Sequence, residues 1–196
     1  MKSKLIVFEG ADSCGKGTQS TLLAEVLGVR GLKCIRVEPT KSSHPLGKRY
    51  IYGMLASGAA KRHPTMFQLV QFANRMYFQF CKLPKLRREH DVVILDRWAL
   101  SGFVYGHAEN IDPLLNSVMF KLCVEPDLTL VMTGKSYRRE ASDDSYEKDS
   151  ILQSRVKTAY RNIAQGRKNV AAIDNHDPIP NVLANIVALL ERKGVV

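Results

Sequence analysis

Five short apolar runs punctuate the chain. They are Leu5-Ile6-Val7-Phe8, Cys34-Ile35-Arg36-Val37, Val92-Val93-Ile94-Leu95, Leu128-Thr129-Leu130-Val131-Met132 and Val170-Ala171-Ala172-Ile173. They are continuous rather than strictly alternating, which is the pattern of strands covered on both faces. Between them lie longer segments that read as helices, roughly Gly15 to Val29, Pro45 to Ser57, Pro64 to Arg88, Pro113 to Cys123, Ser150 to Arg167 and Pro180 to Lys193. This alternation predicts the α/β class, a five-stranded parallel sheet flanked by helices. Ligands of such sheets bind at the carboxyl ends of the strands. Three polar motifs fall at those ends: the loop after the first run, Glu38-Pro39-Thr40 after the second, and Asp96-Arg97 after the third.

Length and composition narrow the picture. The 196 residues suit one domain over 1–196 with a core of its own, and neither repeat nor low-complexity linker divides them. A chain 45% hydrophobic and 24% charged is neither disordered nor fibrous. No apolar run approaches the ~20 residues that span a bilayer, so no membrane is expected. Met1-Lys2-Ser3-Lys4 runs straight into the first strand, and the expected location is cytoplasmic. Cys14, Cys34, Cys81 and Cys123 are scattered without metal spacing and read as reduced thiols. The net charge of +10 suits phosphate-rich partners, either nucleotides or nucleic acid. No motif for binding RNA or DNA accompanies it, so nucleic acid is not expected and much of the charge reads as solvated helix faces.

The chemistry concentrates after the first strand. Gly10, Gly15 and Lys16 fit the opening of G-x-x-x-x-G-K-S/T, a P-loop, here between a strand and a helix. Its backbone N–H groups and the helix N-terminus would cradle phosphates, and Lys16 would reach the β- and γ-phosphates of ATP. Gly10, Ser13, Cys14, Gly15, Lys16, Gly17, Thr18 and Gln19 are the ATP-binding candidates. The hydroxyl expected directly after the lysine is replaced by Gly17, with Thr18 next. Magnesium would then be held through water, with Thr18 and Asp96 as the metal candidates. Asp96 would hold the ion's water shell, and the planar fork of Arg97 would clamp a phosphate. Residues Lys135 to Asp149, rich in Ser, Asp and Arg, read as a short lid that excludes water on closing.

Several motifs recur together. The loop begins Glu9-Gly10-Ala11-Asp12 and closes Gly15-Lys16-Gly17-Thr18-Gln19; Ala73-Asn74-Arg75 lies in the third helical segment. Asp96-Arg97-Trp98-Ala99-Leu100-Ser101-Gly102 continues into Val104-Tyr105-Gly106. Pro126-Asp127-Leu128 opens the fourth strand, and Ser145-Tyr146-Glu147 ends the lid. In these motifs, from about Leu5 to Asp174, the chain resembles the thymidylate kinase family of P-loop nucleoside-monophosphate kinases. The P-loop alone speaks only for the class of P-loop NTPases; the combination with Ala-Asn-Arg and Asp-Arg-Trp-Ala-Leu-Ser-Gly is far more specific.

The resemblance implies a transferase that moves a phosphoryl group from ATP, with magnesium, to deoxythymidine monophosphate, giving the diphosphate that supplies dTTP. It implies that Asp12 orients the acceptor at its sugar 3′-hydroxyl, that Arg97 bridges the phosphates and that Lys41 meets the acceptor phosphate. Arg75 would reach the base edge, Tyr105 would pack beside the deoxyribose, and Ser101 and Tyr146 would line the base or sugar side. Asp174 and Asn175 would flank the adenine. A helix packing across a two-fold axis implies a homodimer, and the apolar Phe67, Val70, Phe72, Met76, Tyr77 and Phe80 offer surface for it.

The chain departs from the family at two places. The loop carries Ser13 where some members carry arginine, so the catalytic arginine is expected from the lid, as Arg138 or Arg139. Many members stack the base on a phenylalanine four residues before the helix arginine; here that position is Gln71, and Phe72 lies three before. Either Phe72 stacks or Gln71 reads the base edge. Another nucleoside-monophosphate kinase of broader base use therefore remains open. So does a deoxynucleoside kinase, for which Glu38 would be the base.

Overall fold

The five expected strands form one sheet. In the computed structural model, which describes residues 3–42, 45–134 and 149–196, they are β1 (Lys4–Gly10), β2 (Cys34–Val37), β3 (Val92–Asp96), β4 (Leu128–Met132) and β5 (Val170–Ile173). All pairs are parallel, in the order β2-β3-β1-β4-β5. β1 is central, with Ile6 beside Ile94 on one side and Leu128 on the other. The chain leaves β1 for β2 and β3 on one flank and β4 and β5 on the other. The carboxyl end of β1 therefore stands at the switch point where such sheets hold ligands.

Side chains alternate between the two faces, as strand geometry requires. Ile6 and Phe8 pack with Ile94 and Leu130 under α1 (Lys16–Val29) and α9 (Ile179–Arg192), which contribute Leu23, Leu27, Ile186 and Leu190. Leu5 and Val7 turn the other way, with Val93 and Leu95, toward Phe78, Leu83 and Trp98. A further cluster on that face joins Val131 to Leu100, Val104, Val156 and Tyr160. These come from α6 (Ala99–Ala108) and α8 (Ser150–Ala164).

The expected long helix over Pro64 to Arg88 is interrupted. It divides into α4 (Pro64–Tyr77), a π-helical turn (Phe78–Lys82) and α5 (Leu83–Glu89), after α2 (Pro45–Ala56) and the short α3 (Ala59–Arg62). Pro84 has no N–H for the carbonyl of Phe80, and its ring crowds that carbonyl, so the chain widens by one residue before α5. The wide turn delivers Phe78 to the core, edge-on to Trp98 at 5.8 Å between ring centroids. α6 has no counterpart among the segments expected to be helical. It contains two glycines, is buried on nearly every side, and shows no polar face by which periodicity would reveal it. α7 (Pro113–Lys121) follows, capped by Asp112, which accepts from Leu115 N–H at 2.8 Å.

The expected lid, 135–149, lies outside the described residues except for Asp149. That residue caps α8, accepting from the N–H groups of Ile151 at 3.1 Å and Leu152 at 2.9 Å. It also pairs with Lys61 at 2.9 Å. Among the described residues, no helix is long and apolar enough to cross a membrane.

Candidate active site

The phosphate loop is shaped by its glycines. Gly10 ends β1 at φ 138°, and a Cβ there would meet the Met132 carbonyl oxygen at 2.7 Å and Cys14 Sγ at 2.9 Å. Ser13 at φ 57° and Gly15 at φ 83° complete the turn, and α1 begins at Lys16. No acidic side chain occupies the first turn of α1, so its N-terminal N–H groups are left for an anion. The buried Lys16 folds back, donating from Nζ to the Ala11 carbonyl at 2.6 Å, with Cys14 Sγ at 3.6 Å. Asn175 braces the loop from beyond β5, its Nδ2 donating to the Cys14 carbonyl at 2.7 Å. Two adenosine-side expectations thus look different in place. Asn175 is buried and tied to the loop, whereas Asp174 is exposed and bonded to His176. Gln19 is also buried, and its amide donates to the Ile179 carbonyl at 3.1 Å, binding α1 to α9.

Asp12 and Arg97 meet at the next step. The Arg97 guanidinium pairs with the Asp12 carboxylate, which also accepts from Tyr105 Oη at 2.6 Å and from Gln153 Nε2 at 2.7 Å. Arg97 reaches this position through a left-handed backbone, φ 70°, a conformation that costs a non-glycine residue about 1–3 kcal/mol. The surrounding bonds compensate: Arg97 N–H donates to the Phe8 carbonyl at 2.9 Å, and Nη1 to the Gly10 carbonyl at 3.1 Å and Ser101 Oγ at 3.3 Å. Burial by itself would raise the Asp12 pKa. The charges of Arg97 and Lys16, with the bonds from Tyr105 and Gln153, outweigh it and hold the carboxyl below its ordinary range. Burial and the Asp12 charge push the Tyr105 phenol well up, so it remains a donor.

Glu9, wholly buried, organises the neighbouring turn. One carboxylate oxygen accepts from Trp98 N–H at 2.8 Å and Ser101 N–H at 3.1 Å; the other accepts from Ser101 Oγ and, at 2.9 Å, from Tyr160 Oη. Trp98 is the N-cap of α6. A strand residue thus caps a helix, satisfying two N–H groups the helix cannot.

A cavity of about 280 Å³ opens beside Asp12 and Arg97. Ser101, Tyr105, Glu38, Lys41, Gln71, Phe67 and Arg75 are among the residues that line it. Phe72 is absent from that lining, whereas Gln71 is present and Phe67 supplies an aromatic ring. Arg75 lies against Gly102, where a Cβ would come within 2.5 Å of its Nη1. Burial lowers its pKa below the ordinary arginine value. Lys41 pairs with Glu38 at 2.8 Å, a bond that raises the lysine pKa.

At the Gly17 corner, the Asp96 carboxylate is joined to Arg36. Gly17 is the residue that faces this pair, while Thr18 is exposed on the helix. Among the described residues, no three His, Cys, Asp or Glu side chains gather to hold a metal ion. Magnesium demands a near-octahedral oxygen shell. With no hydroxyl at position 17 and a guanidinium on Asp96, these side chains do not fit an ion ligated directly by the protein.

Arg138, Arg139 and Tyr146 lie outside the described residues. Four site residues escaped the sequence reading. Glu9 carried a signal, a carboxylate ending an apolar strand, where a buried acid needs partners. Arg36 carried a similar one within β2. Gln153 and Tyr160 carried none; α8 brings them to Asp12 and Glu9 from 141 and 151 positions away.

The family model for thymidylate kinase matches residues 8–186. A thymidylate kinase of Parasynechococcus marenigrum (strain WH8102) is 30% identical over 210 residues, covering 99% of this chain and 100% of that one. One of Neorickettsia sennetsu is 29% identical over 174 residues, covering 86% and 84%. Among solved structures, thymidylate kinase from Ehrlichia chaffeensis superposes with a TM-score of 0.70 at 26% identity, covering 97% of this chain and 99% of that one. Thymidylate kinase from Candida albicans, at 23% identity, shares the fold with a TM-score of 0.75, covering 98% and 93%.

The Asp12 cluster makes stability depend on pH with a definite sign. A carboxyl whose pKa is depressed on folding contributes stability that is fully present above its unfolded pKa. That contribution is lost as pH falls through the folded value. Urea unfolding of Asp12→Asn is expected to show a deficit of about 1.5–3 kcal/mol near neutrality, the usual worth of bonds to a charged group. The deficit should narrow in acid below the ordinary carboxylate pKa, about 4. A deficit that stays constant from neutral to strongly acid pH would contradict the depressed pKa.

Proposed function

Because the chain belongs to the thymidylate kinase family, we infer that it transfers the γ-phosphoryl group of ATP to deoxythymidine monophosphate, giving the diphosphate. The observation that carries this reading is the Asp12–Arg97 pair, which joins the phosphate loop to the 280 Å³ cavity.

The donor's phosphates sit on the N-terminus of α1, where backbone N–H groups and the helix dipole favour an anion. Lys16 exchanges the Ala11 carbonyl for a phosphate oxygen. The acceptor enters the cavity with its phosphate toward Lys41 and Arg97, its sugar against Asp12 and Tyr105, and its base toward Gln71 and Arg75, past Ser101. Phosphoryl transfer asks mainly for alignment and for positive charge around the moving group. Arg97, Lys16 and a lid arginine, Arg138 or Arg139, supply that charge. The acceptor phosphate is already ionised, so its own oxygen attacks without a protein base. Magnesium would supply neutralisation of the donor's phosphate charge, and Asp96 and Thr18 would reach it through water rather than as direct ligands. The working unit is the single domain 1–196, with residues 135–149 as its lid.

One observation favours a broader acceptor range. The helix presents an amide, Gln71, to the cavity at the place where an aromatic ring was an alternative. An amide donates and accepts, and so tolerates more than one base edge. The homodimer is supported by Met66, Leu69 and Phe80 on α4 and the π-helical turn, which stand out from the monomer.

Each part is testable. In a coupled ADP-release assay, Arg97→Ala and Lys16→Ala should each lose on the order of 10²–10³ in turnover at saturating ATP while remaining folded. Near-normal turnover in either would remove that residue from the site. Thymidine in place of its monophosphate should give no ADP; turnover of thymidine would move the protein to the nucleoside kinases. On a panel of monophosphates, the thymidine form should be best, with the deoxyuridine form at most about 10- to 200-fold behind, since one methyl group discriminates no further. Gln71→Ala should cost about 1–3 kcal/mol in transition-state binding. A silent Gln71→Ala, or equal use of purine and pyrimidine monophosphates, would sink the base assignment. Light scattering at micromolar concentration should report twice the monomer mass of 22.0 kDa; a species of monomer mass alone would refute the dimer.

A further inference from the structure

The position after Lys16 ordinarily carries a hydroxyl directed at the nucleotide's magnesium. In this chain it is Gly17, and the groups nearest to it there come from two other strands. A Cβ on residue 17 would lie 3.6 Å from Nη2 of Arg36, on β2, and 3.5 Å from Oδ2 of Asp96, at the end of β3. Three groups hold the guanidinium there. Nη2 is paired with Asp96, Nε donates to Ser20 Oγ at 3.1 Å, and Glu38 Oε2 lies 4.0 Å from Nη2. Ser20 is itself fully buried and donates to the Gly17 carbonyl at 3.1 Å, so the tether is anchored in the first turn of α1. The Arg36 side chain remains 28% exposed. A guanidinium carries five N–H donors in a fixed fork. Among the described residues only Ser20, Asp96 and Glu38 engage it, and its remaining N–H groups can donate to a phosphate at the helix N-terminus.

We propose that Arg36 is a nucleotide-phosphate contact that takes over, in this chain, the place of the P-loop hydroxyl and its metal. Gly17 leaves the corner without a hydroxyl, Ser20 and Asp96 provide the aim, and the permanent charge of the arginine stands where a side chain at 17 would direct a divalent cation. Arg36 is distinct from the cations already assigned. Lys16 belongs to the loop itself, and Arg97 and Lys41 face the acceptor cavity. The consequence is a donor site whose hold on the diphosphate depends little on the metal. This rests on the phosphate loop binding the adenine nucleotide, as proposed above.

The test measures ADP affinity by calorimetry on the full chain, once in EDTA and once with excess magnesium. The unmodified protein should bind ADP in EDTA within about tenfold of its affinity in magnesium, and a wider gap would overturn the proposal without any variant. Arg36→Met should lose about 10- to 100-fold in EDTA, the worth of a charge-assisted bond. It should lose less in magnesium, because the cation can then occupy the vacated space beside Asp96. Arg36→Lys, which keeps the charge, should recover part of the loss. An Arg36→Met variant that matches the parent in EDTA, or that loses equally with and without magnesium, assigns Arg36 to structure alone and overturns its phosphate role. ADP that binds in neither condition would instead overturn the donor reading itself, and the Arg36 proposal with it.

Discussion

The buried carboxylate of Glu9 is the constraint on which the site depends. A charge wholly removed from water is costly unless every lone pair finds a donor, and here two N–H groups and two hydroxyls supply them. Those donors come from the start of α6 and from α8, so satisfying one strand residue fixes two helices against the end of β1. The turn between β3 and α6 has little freedom left. Arg97 is driven to a positive φ, and its guanidinium is carried across to the phosphate loop. Strain at Arg97 and satisfaction at Glu9 are two sides of one arrangement.

The cations of the site are matched in the same way before any ligand arrives. Arg97 is matched by Asp12, Arg36 by Asp96 and Lys41 by Glu38. Each is held by a short-range carboxylate that keeps it aimed, and each lies near a place where phosphate is expected. Lys16 is instead held by the Ala11 carbonyl and the Cys14 sulfur. Positive groups positioned in advance act on developing charge without having to reorganise when it appears, which is the main source of catalytic electrostatics. The paired acids lower the cost of gathering so many cations in one cleft. They also make the pairs sensitive to each other: removing a carboxylate frees its cation to wander as well as deleting a charge.

The sheet was legible in the sequence because its strands are buried on both faces and therefore read as unbroken apolar runs. The phosphate loop and the Asp-Arg strand end were legible because their spacing is local. α6 was not, since a short helix buried all round and carrying Gly102 and Gly106 has neither a polar face nor a strong propensity. The break at Phe78 was written in Pro84, yet the apolar periodicity over Pro64 to Arg88 ran through it undisturbed. In the site itself, local reading reached Lys16, Asp12 and Arg97 but not Gln153 or Tyr160, which depend on how α8 lies across the sheet. Which of Gln71 and Phe72 faces the cavity depends on a rotation of one residue about a helix, about 100°, finer than periodicity alone resolves.

Glycine has two separate uses in this cleft. Gly10 and Gly15 are there for backbone conformations that other residues adopt with strain. Gly102, Gly106 and Gly134 have no such need; what they lack is bulk, and in each case a polar side chain from elsewhere takes the space. Arg75 lies on Gly102, Asn116 on Gly106 and Asn175 on Gly134. A Cβ at Gly102 or Gly106 would come within 2.5 Å of the visiting side chain, closer than packed atoms tolerate, so the visitor rather than the helix would have to move. Such positions tie distant elements to the helices that carry the site. They also tie the recognition of an anion to residues that never touch it. The sequence shows ordinary glycines, two of them inside α6, where propensity counts them as a weakness. Their value lies entirely in which cation or amide the fold sets against them.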